Sequence, residues 1–331
     1  MTKARAVHIR EPGDADVLEL GDLQVRDPGP DEVLVEVAAA GLNRADILQR
    51  RGFYPAPPGV PEDVPGLEYA GTVRAVGTAV GAVAPGDRVM GIAGGGAMAT
   101  HLVAHEREVL PVPDGMALVD AAAVPEVFLT AYDALFLQGG LGLGQAVLIH
   151  AAASGVGTAA LQLARAAGVG TVGTSRTADK LERVRELGLD HGVVVEEGQF
   201  ASAVRERMGG RAPDVVLDLV GGAYLGENIK VVAPRGRIVV VGLLGGAKGT
   251  LPLARLLAKR IHLVGTVLRS RPLEEKITLT QSFLRDVLPL LARGDARPVV
   301  DTVMPMEKIR EAHGHMESNT TVGKIVMTWE G

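Results

Sequence analysis

The sequence predicts an α/β protein in two parts, a barrel-like β domain followed by a doubly wound parallel sheet. Three observations lead there. The chain has 331 residues, beyond the size at which a single core stops growing. Its first third sets alternating or clustered β-branched runs between Pro/Gly turns. From about Ala121 onward, short Val/Ile/Leu runs alternate with helical periods, the sign of parallel strands covered on both faces.

In chain order, ARAVHIRE, EVLVEVAAA, AGTVRAVG, DRVMGI and THLVAHEREVLPV read as strands, punctuated by DPGPDE, APGD and VPDGM. AAAVPEVFLTAYDALFLQG has helical spacing, broken by Pro125 and closed by Gly139 and Gly140. QAVLIHAA is a buried strand and VGTAALQLARAAG a helix stopping at Gly168. GTVGTS is a second strand, and ADKLERVRELG a helix stopping at Gly188. GVVV, DVVLDLVG, GRIVVVGL and IHLVGTVL supply further strands. A helix, EEKITLTQSFLRDVLPLLARG, leads into mixed segments ending in GKIVMTWE, which offer a return to the first domain.

Composition excludes several classes. There is no cysteine, so disulfides, Cys-ligated zinc, Fe–S clusters and thiol nucleophiles are out. Aromatics are 3% and the net charge is −5, which leaves neither stacking platforms nor a basic stripe for nucleic acid. No apolar run nears the ~20 residues that span a bilayer, and the first twenty residues contain no apolar signal core. The expectation is a soluble, cytoplasmic protein with no membrane or nucleic-acid partner.

VLIHAAASGVGTAALQLA joins a buried strand directly to a helix. Its turn is a variant of the dinucleotide fingerprint GxGxxG: Ala152 and Ser154 replace the first two glycines, Gly157 is kept, and Gly155 and Val156 lie between. Small residues there let the backbone approach a pyrophosphate at the helix N-terminus; the competing reading is a tight βα turn with close helix packing. The second strand selects between cofactors. A carboxylate at its end would favour NAD, but it reads Gly173, Thr174, Ser175, Arg176, Thr177, with Lys180 a turn later. Hydroxyls and two cations there suit a 2′-phosphate, so NADPH is expected, with Arg176 carrying much of the choice. Asp179 falls in the next helix's first turn, where its charge suits the helix dipole, and Thr177 has the N-cap position. Ser154 lies in no G-x-S-x-G elbow; its hydroxyl is expected to face the pyrophosphate.

These motifs, with AVHIREPGDADVLEL, GLNRADILQRRGFYPAPPG, VPGLEYAGTV, AAAVPEVFLTAYDAL, LDLVGGAY, LLAKRIHLVGTVLRSR and NTTVGKIV, cover the chain almost end to end. The sequence resembles the zeta-crystallin-like NADPH:quinone oxidoreductases of the medium-chain dehydrogenase/reductase superfamily, in particular the p53-inducible branch. The resemblance implies a GroES-like catalytic domain at 1–123 and 267–331, and a Rossmann NADP-binding domain at 124–266, with the cofactor in the cleft between. In the zinc alcohol dehydrogenases of the superfamily a zinc-binding Cys occupies the position of Asn43 and a zinc-binding His that of Leu67. Only Glu68 survives, and a catalytic zinc needs three protein ligands. No metal is expected. His313 and His315 sit two apart in a helix-like segment and do not share a face.

The resemblance also implies site roles. Tyr54 faces the substrate beside the nicotinamide and donates to the reduced oxygen, the competing reading being a packed surface aromatic. Asn43 contacts cofactor or substrate, and Asp46 acts there or orders its loop. Thr130 lies near the carboxamide; Gly242, Leu243 and Leu244, with Leu268 and Arg269, line the cofactor's far side; Lys324 sits at the cleft. Related reductases have Tyr near Val195, where this chain continues with Glu196 and Glu197, a departure unfavourable to a 2′-phosphate. The expected reaction is zinc-independent hydride transfer from NADPH to quinones, ortho-quinones in particular. The alternatives are an NADPH-dependent alkenal or enoyl reductase and a non-catalytic, crystallin-like NADPH-binding protein. A homodimer through RIHLVGTVL (Arg260 to Leu268) is expected, since an apolar edge strand otherwise invites pairing.

Overall fold

The computed structural model describes residues 1–329. The chain divides into two compact units. The first holds Met1–Leu129, Leu268–Ala292 and the chain from Pro298; the second holds Thr130–Val267 and Arg293–Arg297.

In the first unit, β1 (Thr2–Ile9) and β2 (Leu18–Val25) form an antiparallel hairpin. The second of these was not expected from sequence, because glycine and acidic residues dilute the alternation of LELGDLQV. The main sheet is built around β3 (Glu32–Leu42) and β4 (Glu68–Val76). β5 (Arg88–Ile92) and β7 (Val109–Pro111) extend it beyond β4, while β6 (His101–His105) pairs with the first half of β3. β14 (Val300–Pro305) and β15 (Lys324–Thr328) complete it, β15 lying antiparallel to Ala39–Leu42 of β3. The terminal segment therefore does return to the first unit.

The alternation of β3 explains its two faces. Val33, Val35 and Val37 point into a core with Tyr69, Val73 and Val89. At its end the residues shrink to AAAGL, and Ala39 to Leu42 are all buried. Gly41 admits no side chain, since a Cβ there would lie 2.3 Å from Glu68 Oε1 and 2.7 Å from the Ala122 carbonyl oxygen. α1 (Arg44–Arg50) follows directly, and α2 (Leu118–Ala121) and α3 (Pro125–Tyr132) come later. Pro125 stands at the first position of α3, where its missing N–H costs nothing.

The second unit is a six-stranded parallel sheet made of β8 (Ala146–Ile149), β9 (Gly170–Ser175), β10 (His191–Val194), β11 (Val215–Asp218), β12 (Arg237–Val240) and β13 (His262–Gly265). Their spatial order is β10-β9-β8-β11-β12-β13, the 3-2-1-4-5-6 order of the dinucleotide-binding Rossmann fold. α4 (Gly155–Ala166), α5 (Ala178–Arg183), α6 (Ala201–Arg207), α7 (Leu225–Val231) and α8 (Leu253–Lys259) connect the strands. α3 runs into a π-helical stretch, Asp133–Gln138, before β8, a feature absent from the helical spacing of the sequence. The long helix expected after Arg269 is interrupted into α9 (Leu273–Asp286) and α10 (Leu288–Arg293), with α11 (Ile309–Glu317) before β15.

Candidate active site

The glycine turn sits at the C-terminal end of β8, beside the switch in strand order between β8 and β11 where such sheets bind ligands. Ala151 enters it at φ +48, a left-handed conformation that a residue with a Cβ adopts at a cost of about 1–2 kcal/mol. Gly157 is forced: a Cβ would fall 2.5 Å from the Ala151 carbonyl oxygen and 2.6 Å from that of Ala152. Ala152 is fully buried. Ser154 caps α4, its Oγ accepting from the Gly157 N–H at 3.1 Å. Accepting that bond leaves the Ser154 O–H itself free to donate. The Gly155 and Val156 N–H groups meet no acceptor among the described residues. Open donors at the start of a twelve-residue helix, with no side chain in the way, fit a pyrophosphate.

At the end of β9 and the start of α5 the five expected phosphate partners divide. Thr174 is buried and its Oγ1 bonds His150 Nδ1 at 2.8 Å, so it faces inward rather than toward a ligand. Ser175 Oγ accepts from the Thr177 N–H at 3.3 Å. Thr177 occupies the N-cap position of α5, yet its side chain makes no capping bond. Arg176 is exposed, and Lys180, one turn on, is half-buried. The Tyr224 hydroxyl is shifted upward by burial, while the Arg176 charge opposes that shift. Tyr224 also packs edge-on against His150, with ring centroids 4.8 Å apart. Val195, by contrast, packs into the core of the second unit, and Glu196 and Glu197 are exposed. Gly242, Leu243 and Leu244 follow β12, the two leucines 56% and 55% exposed, which leaves apolar surface free beside the turn's neighbour, Leu219.

The first unit gathers the other candidates into a buried polar cluster. Asp46, wholly buried, accepts from the Asn43 N–H at 2.7 Å and the Gly66 N–H at 2.9 Å. Burial pushes its carboxyl up to about 6, against the pull of those two N–H groups and of the Lys324 and Arg269 charges. The Asn43 amide donates to Glu68 Oε1 at 2.9 Å and to the Gly41 carbonyl oxygen at 3.2 Å, and its Oδ1 accepts from Lys324 Nζ at 2.6 Å. Lys324 also donates to the Leu42 carbonyl oxygen and pairs with Glu68 Oε1, both at 2.7 Å. Glu68 Oε2 accepts from the Glu126 N–H at 2.9 Å. Asn43 is thus held by its neighbours on both amide atoms, and its place is that of a structural hub.

Arg269, expected along the cofactor, has its guanidinium engaged within the first unit. Its guanidinium donates to the carbonyl oxygens of Gly94 and Tyr54, at 2.6 and 3.0 Å, and to Gln49 Oε1 at 2.7 Å. It also stacks over the Tyr54 ring, 4.9 Å from the centroid. Arg269 is therefore the clamp that fixes Tyr54, while its neighbour Leu268 is buried. The Tyr54 hydroxyl is pushed upward by burial first and then by the Glu126 charge. Thr130 lies in α3, half-buried. Two participants were not foreseen from sequence. Glu126 looks like an ordinary first-turn acid favoured by the helix dipole, and Tyr224 lies in a loop whose aromatic gave no spacing signal.

The comparisons agree with this geometry. A profile described as "Alcohol dehydrogenase GroES-like domain" matches residues 29–114, and one described as "Zinc-binding dehydrogenase" matches 155–284. Quinone oxidoreductase-like protein 2 of Mus musculus is 30% identical over 312 residues, 94% of this chain and 89% of that protein. The chain belongs to the medium-chain dehydrogenase/reductase superfamily. Among solved structures, a Pseudomonas syringae quinone oxidoreductase is similar at TM-score 0.88 and 29% identity, covering 98% of this chain and 99% of that one. The CurK enoyl reductase is similar at 0.86 and 29%, covering 99% of each. A mycobacterial protein complexed with NADPH is similar at 0.86 and 29%, covering 98% and 99%.

Membership in a zinc-named group does not bring zinc ligands with it. Among the described residues no group of three or more His, Asp or Glu side chains could hold a metal. Leu67 offers no donor, and the ammonium of Lys324 sits 2.6 Å from the Asn43 oxygen and 2.7 Å from Glu68, where a divalent cation would be repelled. The donor set does not fit zinc. Nor is any described helix long and apolar enough to cross a membrane.

Proposed function

We propose that this oxidoreductase reduces quinones, ortho-quinones in particular, with NADPH and without a metal. The observation that supports it most is the pairing of an open, Gly157-floored helix start with a β9 end that carries Arg176 and no carboxylate. When bound, NADPH supplies the hydride. The chain's own work is to bind, orient and deliver a proton. The Gly155 and Val156 N–H groups and the α4 dipole would hold the pyrophosphate; Arg176 and Lys180 would hold the 2′-phosphate, with Ser175 and Thr177 beside them. Gly242, Leu243, Leu244 and Thr130 would flank the rest.

A quinone is electron-poor enough to accept hydride without a Lewis acid, so the protein need only position it and stabilise the oxyanion that develops. Tyr54 is the donor in this reading. Arg269 holds its main chain and its ring, and the raised hydroxyl keeps its proton at neutral pH until an oxyanion takes it. Asn43, Asp46 and Lys324 shape the floor beneath it.

An activated alkene is the second acceptor class, favoured by the likeness to the CurK enoyl reductase. A steady-state screen of ortho-quinones, para-quinones and enones with NADPH and NADH separates these readings. Tyr54→Phe should slow quinone reduction while NADPH affinity stays unchanged; equal rates across several quinones remove Tyr54 as donor. Tight NADPH binding with no acceptor turned over would support the non-catalytic reading instead. A homodimer through β13 is part of the proposal. This strand is the outer edge of its sheet, with Leu263 43% exposed and Val267, two residues past its end, 46% exposed, and sedimentation of Leu263→Glu beside wild type tests it.

A further inference from the structure

Resting on the NADPH reading of the β9 end, we propose that His150 is a positioning residue for cofactor selection. It is the middle link of a one-way hydrogen-bond chain, Thr174–His150–Asn228–Asp218, that sets Arg176 for the 2′-phosphate.

All four side chains are buried in the second unit. Thr174 comes from β9, His150 directly follows β8, Asp218 ends β11 and Asn228 lies in α7. Thr174 Oγ1 is 2.8 Å from His150 Nδ1, and His150 Nε2 is 2.7 Å from Asn228 Oδ1. Asn228 Nδ2 donates to Asp218 Oδ2 at 2.9 Å. The imidazole packs in a triangle with Phe200 and Tyr224, with ring centroids 4.7 and 4.8 Å away and 4.9 Å between those two, which fixes its tilt.

The direction of every bond follows from the last acceptor. Asp218 Oδ1 takes the Val220 and Gly221 N–H groups at 2.8 and 2.9 Å, and a carboxylate only accepts. The Asn228 amide therefore turns its NH2 to Asp218 and its oxygen to His150. The imidazole then carries its hydrogen on Nε2, Nδ1 is a bare acceptor, and Thr174 gives it the hydroxyl hydrogen. Burial, against the Asp218 charge and the Asn228 bond, holds the ring below its ordinary value, in keeping with a neutral imidazole. A second proton on the ring would leave Thr174 without its acceptor.

The chain crosses the ends of β9, β8 and β11, the strands around the switch point. At one end Thr174 stands two residues before Arg176, and its carbonyl oxygen takes the Ala152 N–H of the glycine turn at 3.0 Å. At the other end Asp218 holds the loop that follows β11. Selector strand, glycine turn and loop are thereby registered to one another. Recognition of a phosphate depends on placement within about 0.5 Å, and the exposed Arg176 inherits its placement from the strand end. NADH has no 2′-phosphate. An error at Arg176 therefore weakens NADPH alone, whereas an error in the glycine turn weakens both cofactors.

His150→Phe keeps a ring in the aromatic triangle and deletes both bonds; Thr174→Val deletes one hydroxyl at nearly constant shape. In fluorescence titrations with NADPH and NADH, the preference for NADPH should fall about tenfold in His150→Phe. It should fall in the same direction, by less, in Thr174→Val. Added to Arg176→Ala, His150→Phe should lower the preference no further, because the two act through one contact. Nitrogen-15 spectra of the cofactor-free protein should show hydrogen on Nε2 of His150, its signal being the one missing from His150→Phe. In Asp218→Asn the new amide has to donate to Asn228, so the chain should run backwards and the hydrogen should appear on Nδ1. Affinity lost equally for both cofactors or not at all, a further fall in the double variant, hydrogen on Nδ1 in wild type, or an unchanged tautomer in Asp218→Asn overturns the proposal. A protein that binds neither cofactor, or an Arg176→Ala variant with unchanged preference, overturns the cofactor reading and the positioning role with it, while the tautomer still decides whether the chain runs in this direction.

Discussion

Lys324→Met removes the one ammonium in the cluster while keeping its apolar stem. Lys324 is 4% exposed and Glu68 is wholly buried. Its Nζ holds three oxygens at 2.6–2.7 Å: the Leu42 carbonyl, Asn43 Oδ1 and Glu68 Oε1. Deleting one partner of a buried pair costs about 3–5 kcal/mol, because the other charge remains buried and uncompensated. The two orphaned acceptors belong to the same network, so their cost overlaps with this rather than adding to it. For a unit of this size the loss corresponds to a fall in Tm on the order of 10 °C. Trp329 is the only tryptophan, and it packs against two cores of the first unit. Its fluorescence during urea unfolding therefore reports on the unit that contains the cluster. Adding Glu68→Gln to Lys324→Met should recover more than half of the loss, since the stranded charge is then gone. A Lys324→Met protein within about 1 kcal/mol of wild type would refute the reading of Lys324 as the counter-charge of this cluster.

Gly157→Ala should weaken NADPH binding by about tenfold or more, measured by fluorescence titration, because the new Cβ collides with two carbonyl oxygens of the turn. Arg176→Ala should reduce the preference for NADPH over NADH in kcat/KM by about tenfold or more; an unchanged ratio would remove Arg176 as the selector. Stability should fall between pH 6.5 and 8 by about 2 kcal/mol. Glu126 at about 8 in the folded protein retains a proton that an unfolded glutamate, near 4.3, has released, so folding is favoured at low pH and loses that advantage as pH rises. Glu126→Gln should flatten this limb in urea midpoints. On the acid side His313, held down to about 3 by burial and the Arg50 charge, acts in the opposite sense: its contribution is complete above about 6.5 and is lost as pH falls toward 3.

The sequence shows its folds where the physics is local. The parallel strands of the second unit are short Val/Ile/Leu runs, and the turn at Ala152–Gly157 announces a strand-to-helix junction within six residues. β2 escaped because its alternation is broken by Gly21 and acidic positions, and the π-helical stretch because its spacing imitates an α-helix. The polar cluster was legible only in pieces. Its members stand at positions 43, 46, 68, 126, 269 and 324, brought together by a sheet that pairs β3 with both β4 and β15. No local pattern records such a meeting. The partners of Arg269 were equally hidden: the resemblance set it in a cofactor-side loop, and nothing local announces its bonds to Gly94, Tyr54 and Gln49. Nor does the sequence say which way the Thr174 hydroxyl points, since one at the end of a strand can as easily face the core, here toward His150.

The pairing of β15 with the end of β3 also sets an order of events at the ribosome. Most of the second unit is continuous chain, Thr130–Val267, and can condense as it emerges. The Ala39–Leu42 edge of β3 is made early, yet its partner lies some 282 residues later, on the order of half a minute of synthesis. Throughout that interval the nascent chain displays an unpaired small-residue strand, with Asn43 and Glu68 lacking the ammonium that will join them. The protein is most vulnerable to wrong pairing, and most in need of a chaperone, during the wait for its last strand.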